Sequence, residues 1–487
     1  MRSQTVIFSK LVRDCMAERP LAMPSGTSCA EVIRRMTDQK EASVIIQDGA
    51  GRLVGLLTEQ DVVRRMVHRV SPDAPVDAVM TRSVLTIPES EYLYLAIGRM
   101  RQNHLRHLPV VNAERALVGV LNLDDALSAA SAQMVQHIDS ITHDDTVEGL
   151  KTAKLAQVEL AEELLVDGLP APEIQALLTH INADIYRRVV TVCCRNLEGE
   201  GWGEPPVDFV VIVMGSGGRG ENYIHPDQDN GFILADYPDE EHNRIDGYFR
   251  ELAERMVTYL DAVGLPLCKG YCMAVNPVWR KTLSQWCEQV TLWGRKNSTV
   301  AVQLADIFFD FQPVFGRRRE LAQELRRHTV DMAKRNHRFL RAMYDVEADH
   351  RTALGLFGRF ITERDKPEYK GHVNLKYNGT LSLVEPIRLL SLRDGVEATS
   401  TLARIDALHA GGTLDDGERE ELRDSFIHIT NMLLRAQIRD FRAGRPVSAY
   451  VRPDSLTPGE EDRLKYAFRS IEKLRKRVRM EFMANIF

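Results

Sequence analysis

The chain has little that would place it in a membrane or a secretory pathway. Its 487 residues contain no apolar run near the roughly 20 residues that a helix needs to cross a bilayer. The first residues, Met1 to Asp14, lack the apolar core of a signal peptide. We therefore expect a cytoplasmic protein without a membrane partner.

Cysteine is scarce and shows no paired pattern. Cys268 and Cys272 have the spacing of half a metal site, but no second His or Cys pair accompanies them. An odd number of cysteines without a CxxC pair predicts reduced, mostly buried thiols. The seven residues are Cys15, Cys29, Cys193, Cys194, Cys268, Cys272 and Cys287.

Neither charge sign is in large excess. A formal net charge of −6 gives no global basic surface of the kind that nucleic-acid binding requires, so no nucleic-acid partner is expected. The length allows roughly two to four domains, each with a core of its own.

An internal repeat organises the first part of the chain. Gly55–Asp61 (GLLTEQD) returns as Gly119–Asp125 (GVLNLDD). Before each copy lie a helical pattern and an apolar strand pattern, and after each copy a helix is predicted. The repeat therefore predicts two αββα units.

The end of the second strand in each unit carries polar residues that suit a nucleotide. A hydroxyl at a helix N-terminus can cap the helix and meet a phosphate, and an Asp three residues later can accept from a ribose. Thr58 and Asp61 match this pattern, whereas Asn122 departs from it and Asp125 keeps it. The alternative is that these residues only cap the helices.

These features resemble a tandem pair of CBS domains, also called a Bateman module, over residues 8–130. The resemblance implies that Thr58, Asp61, Asn122 and Asp125 bind a regulatory adenine nucleotide, AMP or ATP. It also implies a homodimer formed through the pair. A scaffold that binds no nucleotide is the alternative.

A glycine-rich turn and two acids follow a short apolar run. Phe209–Met214 predicts a buried strand, and the glycines of Gly215–Gly218 let the backbone turn and approach a ligand. The amides of a turn that opens a helix can bind an anion. Asp227 and Asp229 lie two apart at the start of the next strand, so they face the same way and repel unless a cation lies between them. Mg²⁺ or Mn²⁺ suits this role because these ions share oxygen ligands with substrate phosphates.

The spacing excludes two common phosphate loops and resembles a third. No Lys-Ser/Thr follows the glycines, as a Walker loop requires, and no GxGxxG opens a dinucleotide unit. The string GSxGRxE, followed by DxD, resembles nucleotidyltransferases of the DNA polymerase β superfamily. It is closer still to the nucleotidyltransferases fused to CBS domains, which are related to PII uridylyltransferases and glutamine-synthetase adenylyltransferases.

The resemblance implies a division of roles within this stretch. Asp227 and Asp229 would be catalytic and hold the metal. A nucleoside triphosphate would lie on the loop, and Arg219 would either add positive charge there or pair with Glu221 to hold the loop. The implied loop ligands are Gly215, Ser216, Gly218 and Arg219.

Many members of this superfamily carry a further metal-binding carboxylate on a third strand. Cys268–Pro277 is predicted to be that strand, and it contains no acid. Asp306 and Asp310 are the substitutes, because residues four apart share a face of a helix or a strand. We take Asp310 as the third metal ligand; capping or ion pairing is the alternative.

Two further patterns concern the second half of the chain. Trp279, Trp286 and Trp293, spaced by seven residues, indicate a buried stripe, with base stacking as the alternative. The segment Asn374–Gly379 resembles an L-K-x-x-G segment of the family's helical domain. By that resemblance Lys376 would reach the triphosphate; otherwise it is an exposed turn residue.

Together these patterns predict an α/β plus all-α fold. The predicted parts are a tandem CBS pair of αββα repeats at 8–130, a helical connector at 131–200, a small mixed-sheet nucleotidyltransferase domain at 201–320 and a C-terminal helical domain at 321–487. Gly168-Leu169-Pro170 is predicted to break the connector into separate helices.

The implied function is nucleotidyl transfer in signal transduction. The protein would move NMP from an NTP to a hydroxyl of a protein or small molecule, under control of the CBS pair. Two other functions stay open. The absent third carboxylate fits a nucleotide-binding pseudoenzyme, and the repeat alone fits a CBS scaffold that acts by protein interaction.

Overall fold

The computed structural model describes residues 11–17, 20–39, 41–66, 70–82, 84–91, 93–103, 105–126, 145–166, 168–296, 298–347, 350–355 and 358–483. The chain divides into two compact units, Met1–Ile141 and Thr142–Phe487. Residues 8–10 and 127–130 of the predicted CBS pair, and 131–144 of the predicted connector, lie outside the described residues.

The first unit contains the repeat, and each copy builds a three-stranded sheet. The middle strand of each copy pairs in parallel with a short strand before it and antiparallel with the strand after it. Val44, Ile45 and Ile46 of the first middle strand are fully buried, as its unbroken apolar pattern predicts. The predicted αββα repeats are therefore confirmed.

The elements of this unit follow the repeat closely. The first copy contains β1 (Ala22–Pro24), α1 (Cys29–Gln39), β2 (Ser43–Gln47), β3 (Leu53–Thr58) and the short α2 (Glu59–Asp61). The second copy contains β4 (Ile87–Pro88), α3 (Leu93–Gln102), β5 (His107–Val111) and β6 (Leu117–Asn122), and a helix begins after it at residue 123.

The second unit is built on a four-stranded mixed sheet, as predicted. Its strands are β7 (Phe209–Val213), β8 (Asn230–Leu234), β9 (Arg280–Thr282) and β10 (Gln312–Phe315), in the spatial order β10-β7-β8-β9. β7 runs antiparallel to β10 and β8, whereas β9 runs parallel to β8. Every residue of β7 and β8 is buried, so both faces of these strands are covered.

Helices cover this sheet and fill the rest of the unit. They are α4 (Val147–Val166), α5 (Ala171–Gly199), α6 (Gly215–Arg219), α7 (His242–Val263), α8 (Leu283–Lys296), α9 (Thr299–Phe308), α10 (Glu320–Lys334), α11 (His337–Glu347), α12 (Leu381–Asp394), α13 (Thr401–Ala410), α14 (Asp416–Arg442) and α15 (Pro458–Met483). A two-stranded ribbon of β11 (Val373–Asn374) and β12 (Tyr450–Val451) lies among the last helices. The helices α4 and α5 flank the predicted break and pack on α7. None of the helices in the described ranges combines the length and apolarity needed to cross a membrane.

The tryptophan stripe is part of the core. Trp279 and Trp286 are fully buried, and Trp293 is 4% exposed. The Trp286 ring nitrogen donates to the Phe232 carbonyl at 2.9 Å, and the ring stacks on Phe308 at a centroid distance of 4.6 Å. The buried-stripe prediction is confirmed, and no ring face is left for a nucleotide base.

The prediction of a third strand at Cys268–Pro277 was wrong. This segment forms turns and bends, the isolated parallel bridge to Gln228 is made by Leu267 just before it, and the third strand begins at Arg280. Tyr271 has φ = 54°, a left-handed conformation that a strand cannot contain. The apolar residues around Met273 resemble a strand pattern, but the backbone turns at Tyr271 and no strand forms there.

We predict that Gly218→Ala destabilises the second unit by about 3 kcal/mol or more, because overpacking against backbone cannot be relieved by a rotamer change. A Cβ at Gly218 would lie 1.4 Å from the Asp310 carbonyl oxygen. All four tryptophans lie in this unit, so urea unfolding followed by tryptophan fluorescence measures its stability.

The matched control is Gly247→Ala in α7, where an added Cβ meets nothing within 4 Å. This change should stabilise the helix by about 0.5–1 kcal/mol. Equal unfolding midpoints for the two variants would contradict the close approach at Gly218.

Candidate functional site

The glycine loop and the second acid are in direct contact. Gly215 starts α6 with φ = 56°, and a Cβ at this position would lie 3.0 Å from the Asp229 Oδ2. The Met214 amide donates to the Asp229 carbonyl at 2.9 Å, which ties the end of β7 to the start of β8. Glycine adopts this backbone conformation without strain and leaves room for the Asp229 carboxylate. The glycine at position 215 and the position of Asp229 therefore depend on each other.

Asp227 and Asp229 form a pair of acids with unbalanced charge. Asp227 is exposed and Asp229 is partly buried, immediately before β8. Burial raises the pKa of Asp229 well above its usual value, and the negative charges of Cys268 and Asp227 raise it further. Lys376 acts in the opposite direction, which brings this lysine within electrostatic reach of the pair. A divalent cation with oxygen ligands would offset the repulsion, so these residues fit Mg²⁺ or Mn²⁺.

Two clefts adjoin the loop. One is lined by both acids together with Met214, Gly217 and Asn222, among others. The second is lined by Ser216, Arg219, Glu221 and the exposed Lys376, among others. The Ser216 hydroxyl donates to the Asn222 side-chain carbonyl at 3.2 Å. The structure thus brings together the loop, the acid pair and Lys376, which sequence analysis had assigned to one site.

Arg219 fixes the glycine loop through two ion pairs. Its side chain is only 10% exposed, and its guanidinium lies 2.6 Å from the Glu221 carboxylate and 2.8 Å from that of Asp310. The Thr401 amide also donates to the Glu221 carboxylate at 2.7 Å. Arg219 therefore has the loop-holding role that was the alternative to a phosphate contact.

Asp310 requires a correction, because it is not placed as a metal ligand. Its fully buried carboxylate lies 2.8 Å from Arg219, 2.8 Å from Arg388 and 2.7 Å from Arg404. Burial alone would raise the pKa of Asp310, but the three guanidinium groups lower it, Arg404 most strongly. A divalent cation would add positive charge where three arginines already surround one acid. Asp306 also pairs with Arg388.

Two thiols lie at the site and were not expected there. The Sγ atoms of Cys268 and Cys272 and a carboxylate oxygen of Asp229 lie within 4.8 Å of one another. The neighbouring side chains of Cys272 and Asp229 lower the pKa of Cys268 to about 5, although burial opposes this shift. The CxxxC spacing was the available signal, and the third member of the cluster is a carboxylate, not a second Cys or His pair.

A buried lysine supports the segment that leads to the acids. The Lys154 ammonium on α4 donates to Gln157 at 2.8 Å, to Asn182 at 3.0 Å and to the Ile224 carbonyl at 3.0 Å. Complete burial lowers the pKa of Lys154 to about 7. Nothing in the sequence distinguishes this lysine from the others of its helix.

In the first unit, the predicted nucleotide ligands cap their helices. The Asp61 amide donates to the Thr58 hydroxyl at 3.3 Å, and the Thr58 amide donates to the Asp61 carboxylate at 3.1 Å. The Asp124 amide donates to the Asn122 side chain at 2.9 Å, and Asp125 is exposed. The capping role is observed, and nucleotide binding at these residues stays a prediction.

Family models match the chain in the order of these parts. The model described as "CBS domain" matches residues 12–68 and 76–132. "Putative nucleotidyltransferase DUF294" matches 156–299, and "Putative nucleotidyltransferase substrate binding domain" matches 337–482.

Individual relatives match only part of the chain. An uncharacterized 17.7 kDa protein of Acidianus ambivalens is 31% identical over 104 residues, which are 21% of this chain and 63% of that protein. The CBS domain-containing protein CBSCBSPB3 of Arabidopsis thaliana is 29% identical over 128 residues, 26% of this chain and 23% of that protein. This chain thus spans less than two thirds of either relative. The crystal structure of an uncharacterized conserved protein from Pyrococcus horikoshii is 27% identical, covers 25% of this chain and 93% of its own, and has a TM-score of 0.24.

The fold and the order of matches define a CBS-domain pair joined to a DUF294 domain and a helical DUF294 C-terminal domain. The chain belongs to the CBS-domain-fused DUF294 nucleotidyltransferase family, which confirms the resemblance drawn from the loop and the repeat.

We predict that Asp310→Asn destabilises the second unit by about 3–5 kcal/mol, because it leaves three buried arginines without their common counter-charge. The comparison variant is Asp306→Asn, whose 26% exposed carboxylate pairs with a single arginine, Arg388, among the described residues, and which should cost about 1 kcal/mol or less. Tryptophan-detected urea unfolding distinguishes the two. Similar losses in both variants would show that Asp310 is not the centre of the cluster.

Proposed function

We propose that this chain transfers a nucleoside monophosphate from an NTP to a hydroxyl of a protein or a small molecule, in the manner of PII uridylyltransferases. The observation that carries the proposal is the packing of Asp229 close to the glycine loop, where a Cβ added at Gly215 would lie 3.0 Å from the Asp229 carboxylate. This packing supports the proposal, because transfer requires a phosphate loop beside a pair of acids.

The loop and the acids have separate roles in this proposal. Gly215 and Ser216 lie along the triphosphate, whose charge the first-turn amides of α6 and the exposed Lys376 attract. Gly218, a predicted ligand, is buried and its amide donates to the Met214 carbonyl at 3.1 Å, so its role is to let the loop pack against Asp310. Arg219 fixes the loop by its ion pairs with Glu221 and Asp310.

Asp227 and Asp229 hold Mg²⁺ or Mn²⁺. When bound, the cation neutralises phosphate charge and lowers the pKa of the acceptor hydroxyl. The acceptor oxygen forms a bond to the α-phosphorus, the bond from that phosphorus to the bridging oxygen breaks, pyrophosphate leaves and the hydroxyl proton passes to water. The acids also orient the reactants in line.

A second candidate function is nucleotide binding without transfer. It is favoured by one observation: thiols of Cys268 and Cys272, not a third carboxylate, lie beside Asp229, and the Asp310 carboxylate is paired with arginines. Such a pseudoenzyme would bind an NTP and form no covalent product.

We predict that Asp227→Ala or Asp229→Ala lowers the transfer rate by about 100-fold or more, because positioned charge of this kind contributes at least that much to the barrier. The assay incubates the full chain with each α-labelled NTP, Mg²⁺ and cell extract, and detects label on protein or small molecules. Asp261→Ala is the matched control, since this acid is exposed on α7. Tight NTP binding without label under any condition would select the pseudoenzyme.

The CBS pair is proposed to bind AMP or ATP, to regulate transfer and to form a homodimer. We predict that the double variant Thr58→Ala/Asp61→Ala lowers adenine-nucleotide affinity at least 10-fold, measured by calorimetry, because it removes a hydroxyl and a ribose acceptor. Asn122→Ala should have a smaller effect, because Asn122 departs from the pattern. Unchanged affinity in the double variant would refute this site. Regulation additionally requires that the nucleotide alter NTP affinity.

A further inference from the structure

Two thiols and a carboxylate converge beside the glycine loop. The Sγ atoms of Cys268 and Cys272 and a carboxylate oxygen of Asp229 all lie within 4.8 Å of one another. Cys272 is buried, and the other two residues are partly buried. Buried polar groups cost free energy unless they are hydrogen-bonded, and buried charges are paired or coordinate a metal.

Backbone hydrogen bonds fix the cysteine segment against the start of β8. The Asn230 amide donates to the Cys272 carbonyl at 2.9 Å, and the Gln228 amide donates to the Pro266 carbonyl at 2.9 Å. The Ala274 amide donates to the Asn230 side-chain carbonyl at 2.9 Å. Asp229 lies between these two anchored residues, immediately before β8, so its position relative to the thiols is determined by the backbone.

A strained turn brings the two sulfur atoms to the same side. Tyr271 has φ = 54°, and its amide donates to the Cys268 carbonyl at 3.0 Å. A left-handed non-glycine residue costs about 1–3 kcal/mol, which the surroundings must offset. The Tyr271 side chain is 68% exposed, so its own packing does not explain the conformation.

The donor set suits a soft divalent cation better than Mg²⁺. Zn²⁺ binds thiolate at about 2.3 Å and carboxylate at about 2.0–2.2 Å, so tetrahedral ligands lie about 3.5–3.8 Å apart. The donor atoms here lie within 4.8 Å of one another, so a shift of at most roughly 1.3 Å would bring them to that spacing. Mg²⁺ and Mn²⁺ prefer oxygen ligands, whereas thiolates select Zn²⁺ and similar ions.

We propose that Asp229, Cys268 and Cys272 form a binding site for a thiophilic divalent cation of the Zn²⁺ type, with one coordination position open. This inference goes beyond the proposed transfer function but shares Asp229 with it. A Zn²⁺ ion at this site takes Asp229 from the pair with Asp227, and therefore competes with Mg²⁺ there.

The test uses Co²⁺ as a spectroscopic substitute for Zn²⁺ in the full chain, kept reduced with a phosphine. Thiolate ligation produces a near-ultraviolet charge-transfer absorption, which we expect at one equivalent of Co²⁺ and expect Zn²⁺ to abolish. Cys268→Ser and Cys272→Ser should each lower Co²⁺ affinity at least 10-fold and weaken the absorption; the double variant should lose it. This readout requires no transfer activity, so it is independent of whether the proposed function is correct.

Matched variants separate the site from other thiols and acids. Cys287→Ser, which changes a partly buried cysteine of α8, should leave the absorption unchanged. Asp229→Asn should weaken Co²⁺ binding, whereas Asp227→Asn should not, because Asp227 is outside the cluster. Tryptophan-detected unfolding checks that each variant is folded. Absence of the absorption in the wild-type chain, or its survival in the Cys268→Ser/Cys272→Ser double variant, overturns the proposal.

Discussion

The second unit depends on the ion pairs that the buried Asp310 carboxylate makes. This carboxylate lies between arginines from three separate parts of the chain: Arg219 of the loop helix, Arg388 of α12 and Arg404 of α13. The Asp310 backbone also lies in close contact with Gly218 of the glycine loop. Because three buried cations would be costly without this acid, the sheet, the loop and the C-terminal helices are held in one arrangement. The loop beside the acids is thus positioned by the helical domain as well as by the sheet.

The second constraint is the crowding around Asp229. The loop glycine, the thiols and the Asp227 charge all act on this one carboxylate, and the charge of Lys376 reaches it from the C-terminal helices. Burial and neighbouring negative charge raise its pKa, so its ionised form is stabilised only when positive charge is supplied. A bound cation is the simplest source of that charge. The identity of the cation then follows from the donors: oxygen from Asp227 favours Mg²⁺, and sulfur from the cysteines favours Zn²⁺.

Local patterns in the sequence predicted the parts of the fold that depend on local chemistry. The two αββα repeats follow from apolar strands and capping residues such as Thr58, and the loop follows from glycines adjacent to a β-branched run. The predictions for Asp310 and for Cys268–Pro277 were wrong because they depend on long-range ion pairing and on backbone geometry. Asp310 is a structural acid because Arg388, 78 residues away, folds onto it. Cys268–Pro277 is a turn because Tyr271 adopts a left-handed conformation, which its apolar neighbours do not reveal. Sequence spacing showed the thiol pair but could not show that Asp229 completes it.

The most direct test of the account is a crystal structure of the full chain with a non-hydrolysable NTP and Mn²⁺, since Mn²⁺ can be located by its anomalous scattering. The account predicts an anomalous peak contacted by the carboxylates of Asp227 and Asp229. It also predicts a triphosphate lying along Gly215–Gly218, with Lys376 facing it. A triphosphate bound elsewhere, or Mn²⁺ that contacts neither carboxylate, would contradict the claim that this loop and these acids form one nucleotidyl-transfer site.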